Sequence, residues 1–245
     1  NGKLTIYCTS YIYLLKKHMN YSKYIDHSLL HPTATHNDIA KLCREAIEFD
    51  VAAVCIQPIY IQFAQTLLQH TPISVATVIG FPHGTNSIET KCFETKLAIK
   101  HGATEIDAVI CIPQVIAQEW KYIETEIHEL STICKQHNIC LKIIFETTYL
   151  NEYHIIKLCE ICSKEHVSFV KTSTGFDFIK HESGLYTTKG AQISHIQLMK
   201  KHCFNNTQIK ASGGTRSASY FIECIEAGAT RIGTSATKDI LKALP

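Results

Sequence analysis

The sequence predicts a (β/α)8 TIM barrel with an N-terminal helical extension. Eight short apolar runs, rich in β-branched residues, alternate without a break with segments whose apolar residues recur at helical spacing. The runs are apolar along their length, as parallel strands buried on both faces beneath outer helices are. At 245 residues the chain can hold eight such units in one domain. A doubly wound open sheet alternates in a similar way. No glycine-rich dinucleotide fingerprint follows the first strand, however, and Gly80-Phe81-Pro82-His83-Gly84 is not one.

Residues 1–23 read as the extension, with an amphipathic helix over its apolar stretch from Leu4 to Leu15. That stretch lacks a basic leading region and a small-residue cleavage site, so no secretory signal is expected. Residues 24–245 are expected to form a single catalytic barrel. Residues 24–30 make the first strand, which His31-Pro32 stops. Thr35 or Asn37 then caps a helix carrying Ile39, Leu42, Cys43, Ala46 and Ile47. Residues 51–56 are the second strand, and Pro58 opens a helix through Ile61, Ala64, Leu67 and Leu68. The third strand spans residues 74–79; Ser87 caps a helix to about Lys100, ended by Gly102.

Strand four covers residues 105–111, followed by one long helix over 117–136. Strand five covers 140–146 and its helix 151–164. Strand six covers 168–173, followed by a long connection from 175 to 189 and a helix over 190–203. Strand seven covers 208–212 and its helix 217–227, stopped by Gly228. Strand eight covers 230–235, and residues 236–243 make a last short helix.

Net charge is +2 with dispersed Lys and Arg, which argues against a dedicated nucleic-acid surface. No apolar run reaches membrane-spanning length. The eleven cysteines are odd in number and irregularly spaced, so they read as reduced, buried thiols of a cytoplasmic protein. Cys159-Glu160-Ile161-Cys162 has no second pair to complete a zinc site. His27 and His31 are separated by four positions on a strand rather than a helix, and no His-Glu-x-x-His occurs, so no metal or other cofactor is expected.

The chemistry lies in the strands. Lysine is depleted in apolar strands and almost never fully buried unless paired. Yet Lys142, Lys171 and Lys210 sit inside strands five, six and seven, and Asp107 sits inside strand four. If all four point inward, their heads meet near the barrel axis, at the strand ends where barrel active sites form. Lysine attacks carbonyls only as a neutral amine, and both desolvation and a neighbouring ammonium favour that form. At ~5 Å and an effective dielectric near 20, two ammonium groups repel by about 3 kcal/mol. Lys171 beside Lys210 fits a Schiff-base site, with Asp107 shuttling protons and Lys142 orienting it. The bland alternative is a buried salt-bridge network, in which one aspartate serves three lysines and positive charge is left in excess. Ala211-Ser212-Gly213-Gly214 and Ile232-Gly233-Thr234-Ser235 end strands seven and eight just before helices, where exposed backbone N–H groups can hold a phosphate. Two tight turns are the plainer reading of those glycines.

The chain from Tyr24 to Ser235 resembles the deoxyribose-phosphate aldolase family. The matching segments are Tyr24-Ile25-Asp26-His27-Ser28-Leu29-Leu30, Val78-Ile79-Gly80-Phe81-Pro82, Glu105-Ile106-Asp107, Lys171-Thr172-Ser173-Thr174-Gly175-Phe176, Lys210-Ala211-Ser212-Gly213-Gly214 and residues 228–235. The resemblance implies reversible, metal-free cleavage of 2-deoxy-D-ribose 5-phosphate to acetaldehyde and D-glyceraldehyde 3-phosphate. It makes Lys171 the Schiff-base lysine, Asp107 and Lys210 the proton-transfer pair, and Lys142 a supporting lysine. The substrate-binding positions it implies are Asp26, Ser28, Cys55, Thr174, Gly175, Gly213, Gly214, Gly233 and Ser235. It also implies a homodimer or homotetramer. Ser28, His31, His83 and Cys111 depart from the residues usual in the family, and these positions are expected to border the pocket. The competing readings are another Schiff-base or phosphosugar barrel enzyme, such as a transaldolase-like protein or an isomerase, and a non-catalytic descendant that binds a sugar phosphate or a partner protein.

Overall fold

A computed structural model describes residues 19–244, so the helix expected over Leu4–Leu15 lies outside the described residues. The first described element is a 3-10 turn, Tyr21–Tyr24. The barrel then follows in βα order: β1 (Ile25–Leu29), α1 (His36–Phe49), β2 (Ala53–Ile56), α2 (Ile61–Leu68), β3 (Ser74–Ile79), α3 (Ile88–Lys100) and β4 (Glu105–Val109). It continues through α4 (Ile112–Ile116), α5 (Trp120–Gln136), β5 (Cys140–Ile144), α6 (Glu152–Lys164) and β6 (Phe169–Lys171). A small hairpin of β7 (Ile179–Lys180) and β8 (Tyr186–Thr187) precedes α7 (Ile193–His202), β9 (Gln208–Ser212), α8 (Ala218–Glu226), β10 (Arg231–Thr234) and α9 (Thr237–Ala243). Eight parallel strands close in the order β1-β2-β3-β4-β5-β6-β9-β10.

The helix starts follow from local chemistry. Asp38 accepts a hydrogen bond from Thr35 N at 2.8 Å, and Asn151 Oδ1 accepts one from His154 N at 3.0 Å, each satisfying an orphan donor at a helix start. Two expectations change. The single helix expected over 117–136 is split: Pro113 opens α4, and Gln118 turns left-handed at φ 58° before α5 begins. The connection expected between 175 and 189 contains the β7–β8 hairpin, paired antiparallel through Ile179–Thr187 and Lys180–Tyr186.

The main core lies between strands and helices, with Ile25, Val54, Ile106, Ile143, Val170, Ile209 and Ile232 buried outward against the helix ring. Inside the barrel, the β2–β3 side is filled by Cys55, Ala76 and Val78. The opposite side is charged. Side chains alternate along a strand, so the register sets both faces together: Asp107 pairs with Lys142, Lys171 with Lys210, and Lys210 with Arg231. Among the described residues, no helix is long and apolar enough to cross a membrane.

Candidate active site

Three lysines converge on one aspartate inside the barrel. Lys171 Nζ lies 2.8 Å from Asp107 Oδ2, and Lys210 Nζ lies 2.7 Å from the same oxygen. Lys142 Nζ takes Asp107 Oδ1 at 2.8 Å. The network extends further than the sequence predicts. Lys210 also bonds Asp26 Oδ2, whose other oxygen accepts from Arg231 at 2.6 Å. Lys142 also bonds Glu105, which lies 3.5 Å from Arg231. Arg231 sits 5.4 Å over the Phe169 ring, so the flat face of its guanidinium is covered as well.

This changes the charge account. A single aspartate among three lysines would leave positive charge in excess, but Asp26 and Glu105 join Asp107. Arg231, Lys142 and Lys210 supply three positive charges against these three carboxylates. Those six groups balance in charge among themselves, and Lys171 joins them through Asp107 Oδ2. Burial disfavours the Lys142 ammonium, but Asp107, Glu105 and Asp26 outweigh it and hold that group well above the ordinary lysine value. Lys210 follows the same pattern: burial lowers it, while Asp107 and Asp26 raise it further. Burial likewise opposes ionisation of Asp107, and Lys142, Lys171 and Lys210 overcome it, leaving its carboxyl well below the usual range.

Above this floor a cavity of about 350 Å³ opens at the C-terminal ends of the strands. Of the three lysines, only Lys171 lines it. Ser28, Thr174, Gly175, Gly213, Gly214, Gly233 and Ser235 line it too, with His31 at its rim and Arg216 contributing a cation. Gly213 and Gly214 hold φ +85° and +78° in succession, a backbone concavity of the type that turns N–H groups toward an anion. Gly213 has no room for a side chain, because a Cβ there would lie 2.8 Å from Gly190 Cα.

Two residues expected at the substrate lie elsewhere. Asp26 is fully buried below the cavity in the ion network, and Cys55 is buried with Sγ 3.9 Å from Asp107 Oδ2. The pocket border is also narrower than expected. His83 is exposed and does not line the cavity. Cys111 is directed away, with its N–H on Glu126 at 3.1 Å. Sequence reasoning missed Glu105, Arg231 and Arg216. A signal existed for Glu105, which precedes Asp107 by two positions and so shares its strand face. Among the described residues, no three His, Cys, Asp or Glu side chains gather into a metal-binding set. A larger apolar cleft of about 860 Å³ runs between Ile59 and Leu97 and meets the site at Leu30 and Phe176.

Comparison with known proteins agrees with this geometry. The family model described as DeoC/LacD family aldolase matches residues 21–243. A deoxyribose-phosphate aldolase of Caldanaerobacter subterraneus subsp. tengcongensis is 44% identical over 94% of this chain and 96% of its own. One of Treponema denticola is 40% identical over 89% of this chain and 96% of its own. The tetrameric deoxyribose phosphate aldolase of Aeropyrum pernix superposes with a TM-score of 0.80 at 27% identity, covering 91% of this chain and 89% of that one.

Proposed function

The chain belongs to the DeoC/LacD family of aldolases, and from that premise we propose that Lys171 is its Schiff-base nucleophile. The reaction is the reversible cleavage of 2-deoxy-D-ribose 5-phosphate to acetaldehyde and D-glyceraldehyde 3-phosphate. One observation carries the residue assignment: Lys171 reaches the cavity while sharing a single Asp107 oxygen with the buried Lys210.

The neutral amine of Lys171 attacks C1 of the open-chain sugar, and loss of water gives an iminium. Its positive nitrogen draws the electron pair of the C2–C3 bond, which breaks to leave an enamine on Lys171. The C3 hydroxyl gives up its proton as C3 becomes the aldehyde of glyceraldehyde 3-phosphate. Asp107 and Lys210 relay that proton, because they share a hydrogen bond at 2.7 Å beside the reacting amine. They then return a proton to C2, and water releases acetaldehyde and restores the amine. Lys142 holds the second Asp107 oxygen and so fixes the carboxylate plane. Gly175, Gly213, Gly214, Gly233 and Ser235 hold the phosphate, with Ser28 and Thr174 nearer the sugar.

Borohydride reduction with acetaldehyde, followed by peptide mass mapping, tests the assignment. An ethyl group on Lys171, competed away by deoxyribose 5-phosphate, is the expected result. An adduct on Lys210 instead would exchange the two roles. Lys171→Arg keeps a long basic side chain and removes the covalent step, so near-native turnover in that variant would overturn the assignment. We further assign the protein to the cytoplasm, in keeping with ten reduced thiols among the described residues. We also propose that it forms a homodimer or homotetramer, as its tetrameric structural relative suggests. Light scattering on the purified chain distinguishes these from a monomer.

A further inference from the structure

Two buried carboxylates outside the lysine cluster have no part in the chemistry above. Glu146 and Asp177 are each 2% exposed, and each leaves one oxygen, Oε1 and Oδ1, without a partner. Glu146 stands just past β5 with φ 55° and ψ 62°, a left-handed conformation that a residue with a side chain adopts only when its surroundings impose it. Its Oε2 accepts hydrogen bonds from Thr174 N at 3.1 Å and from Thr174 Oγ1. Three residues further on, Tyr149 OH accepts from Phe178 N at 2.9 Å, and Thr148 Oγ1 donates to Asp177 Oδ2 at 2.9 Å. The turn after β5 thus grips the loop after β6 at both ends.

The grip continues to the glycines. Asp177 Oδ2 also accepts from Lys189 N at 2.8 Å and Gly190 N at 3.3 Å. Ala191 N donates to Gly213 O at 3.1 Å, and a Cβ on Gly190 would lie 2.4 Å from that same oxygen. Thr174, Gly175, Gly213 and Gly214 are therefore held by one chain of contacts that starts at Glu146, and all four line the cavity. A carboxylate beside a phosphate site repels it less as its charge is lost or spread over hydrogen bonds. Oε2 of Glu146 is occupied by Thr174, and burial pushes the Glu146 carboxyl up against the pull of its hydrogen bonds from Thr174 and Ser173.

We propose that Glu146 is a positioning residue for the phosphate end of the cavity: it fixes Thr174 and Gly175, and Asp177 carries the restraint through Gly190 to Gly213. The proposal rests on the aldolase reading and deepens it, because it concerns recognition of the phosphate and leaves the nucleophile untouched. A carboxylate that only stabilised the fold would affect phosphorylated and unphosphorylated substrates alike.

Glu146→Gly is the informative variant, since glycine takes the left-handed conformation without strain and removes the acceptor. KM for deoxyribose 5-phosphate should rise at least ~10-fold, while acetaldehyde, which carries no phosphate, is still trapped on Lys171 at a rate within about threefold of the parent. Glu146→Gln retains an acceptor oxygen for Thr174 and should restore KM to within about threefold. Thr148→Val loosens only the Asp177 arm and should raise KM about threefold. Unchanged KM in both Glu146→Gly and Thr148→Val would overturn the proposal, as would parallel loss of KM and trapping. A parent protein that neither cleaves the sugar phosphate nor traps acetaldehyde would instead overturn the aldolase reading.

Discussion

Lys91→Met tests the one buried lysine among the described residues that lies outside the catalytic cluster. Lys91 is fully buried on α3. Its Nζ donates to Gly84 O and Val109 O, each at 2.7 Å, and to Glu126 Oε1. The other Glu126 oxygen accepts from Cys111 N. One ammonium thus ties the loop after β3, the end of β4 and α5 together. Removing one partner of a buried ion pair costs about 3–5 kcal/mol, and each carbonyl left without its donor adds on the order of 1 kcal/mol. A total near 5 kcal/mol at pH 7 is a large part of a domain's stability.

The loss should also depend on pH. Burial already raises the Glu126 carboxyl, and Lys91 is the main influence opposing that rise. Without Lys91 the folded carboxyl rises further, so the folded state binds a proton that the unfolded state lacks above about pH 4.3. Stability of the variant then recovers as pH falls, by up to ~1.4 kcal/mol per unit. Urea unfolding at pH 7 and pH 5 measures this, read from midpoints with unchanged slope. The deficit at pH 5 should be smaller by at least ~1 kcal/mol, and Lys91→Met/Glu126→Gln should regain about 2 kcal/mol at pH 7. A loss below ~1 kcal/mol at pH 7, or equal deficits at both pH values, would refute the reasoning.

Three further outcomes are expected. Gly213→Ala combines left-handed strain of roughly 1–2 kcal/mol with overpacking of about 1–3 kcal/mol against Gly190 and Ser173, so it should lower the urea midpoint and raise KM together; a neutral result in both would show that the loops yield freely. Asp26 is held below the usual carboxylate range, where Lys210, Lys142 and Arg231 prevail over burial, so its contribution is present above about pH 3.9 and is lost as pH falls below that value. Asp26→Asn should therefore flatten the acid limb of a Tm–pH curve, and an unchanged slope there would contradict this assignment. Among the described thiols, burial pushes Cys43 up to about 11 and both Cys134 and Cys224 up to about 12, whereas a hydrogen bond from Cys159 lowers Cys203. Brief iodoacetamide treatment with peptide mapping should find Cys203 alkylated before those three.

The sequence shows the barrel clearly because the strands are buried on both faces and several helices carry their own start signals. Strand three and strand seven have the expected bounds, and Thr35, Ser87, Asn151 and Ser217 precede helices. The boundaries that moved did so where a backbone conformation outweighs residue pattern. Gln118 interrupts an apparently continuous helix, and Glu146 leaves β5 by turning left-handed, although neither residue type favours φ > 0. The β7–β8 hairpin went unseen because its strands are two residues each, too short to show a period.

What the sequence determined by itself was the presence of Asp107, Lys142, Lys171 and Lys210 in neighbouring strands, and with them the fold and the reaction class. These are local properties, since a lysine inside an apolar strand is anomalous wherever that strand ends up. The tertiary structure alone decided the charge balance. Glu105 and Arg231 are ordinary residues at strand beginnings until closure of the barrel sets β10 beside β1 and β9, bringing Arg231 onto Asp26 and Glu105. Asp26 and Arg231 are 205 residues apart in sequence, so no local pattern records their contact. Electrostatic energy depends on distance through space, and only the folded chain defines that distance.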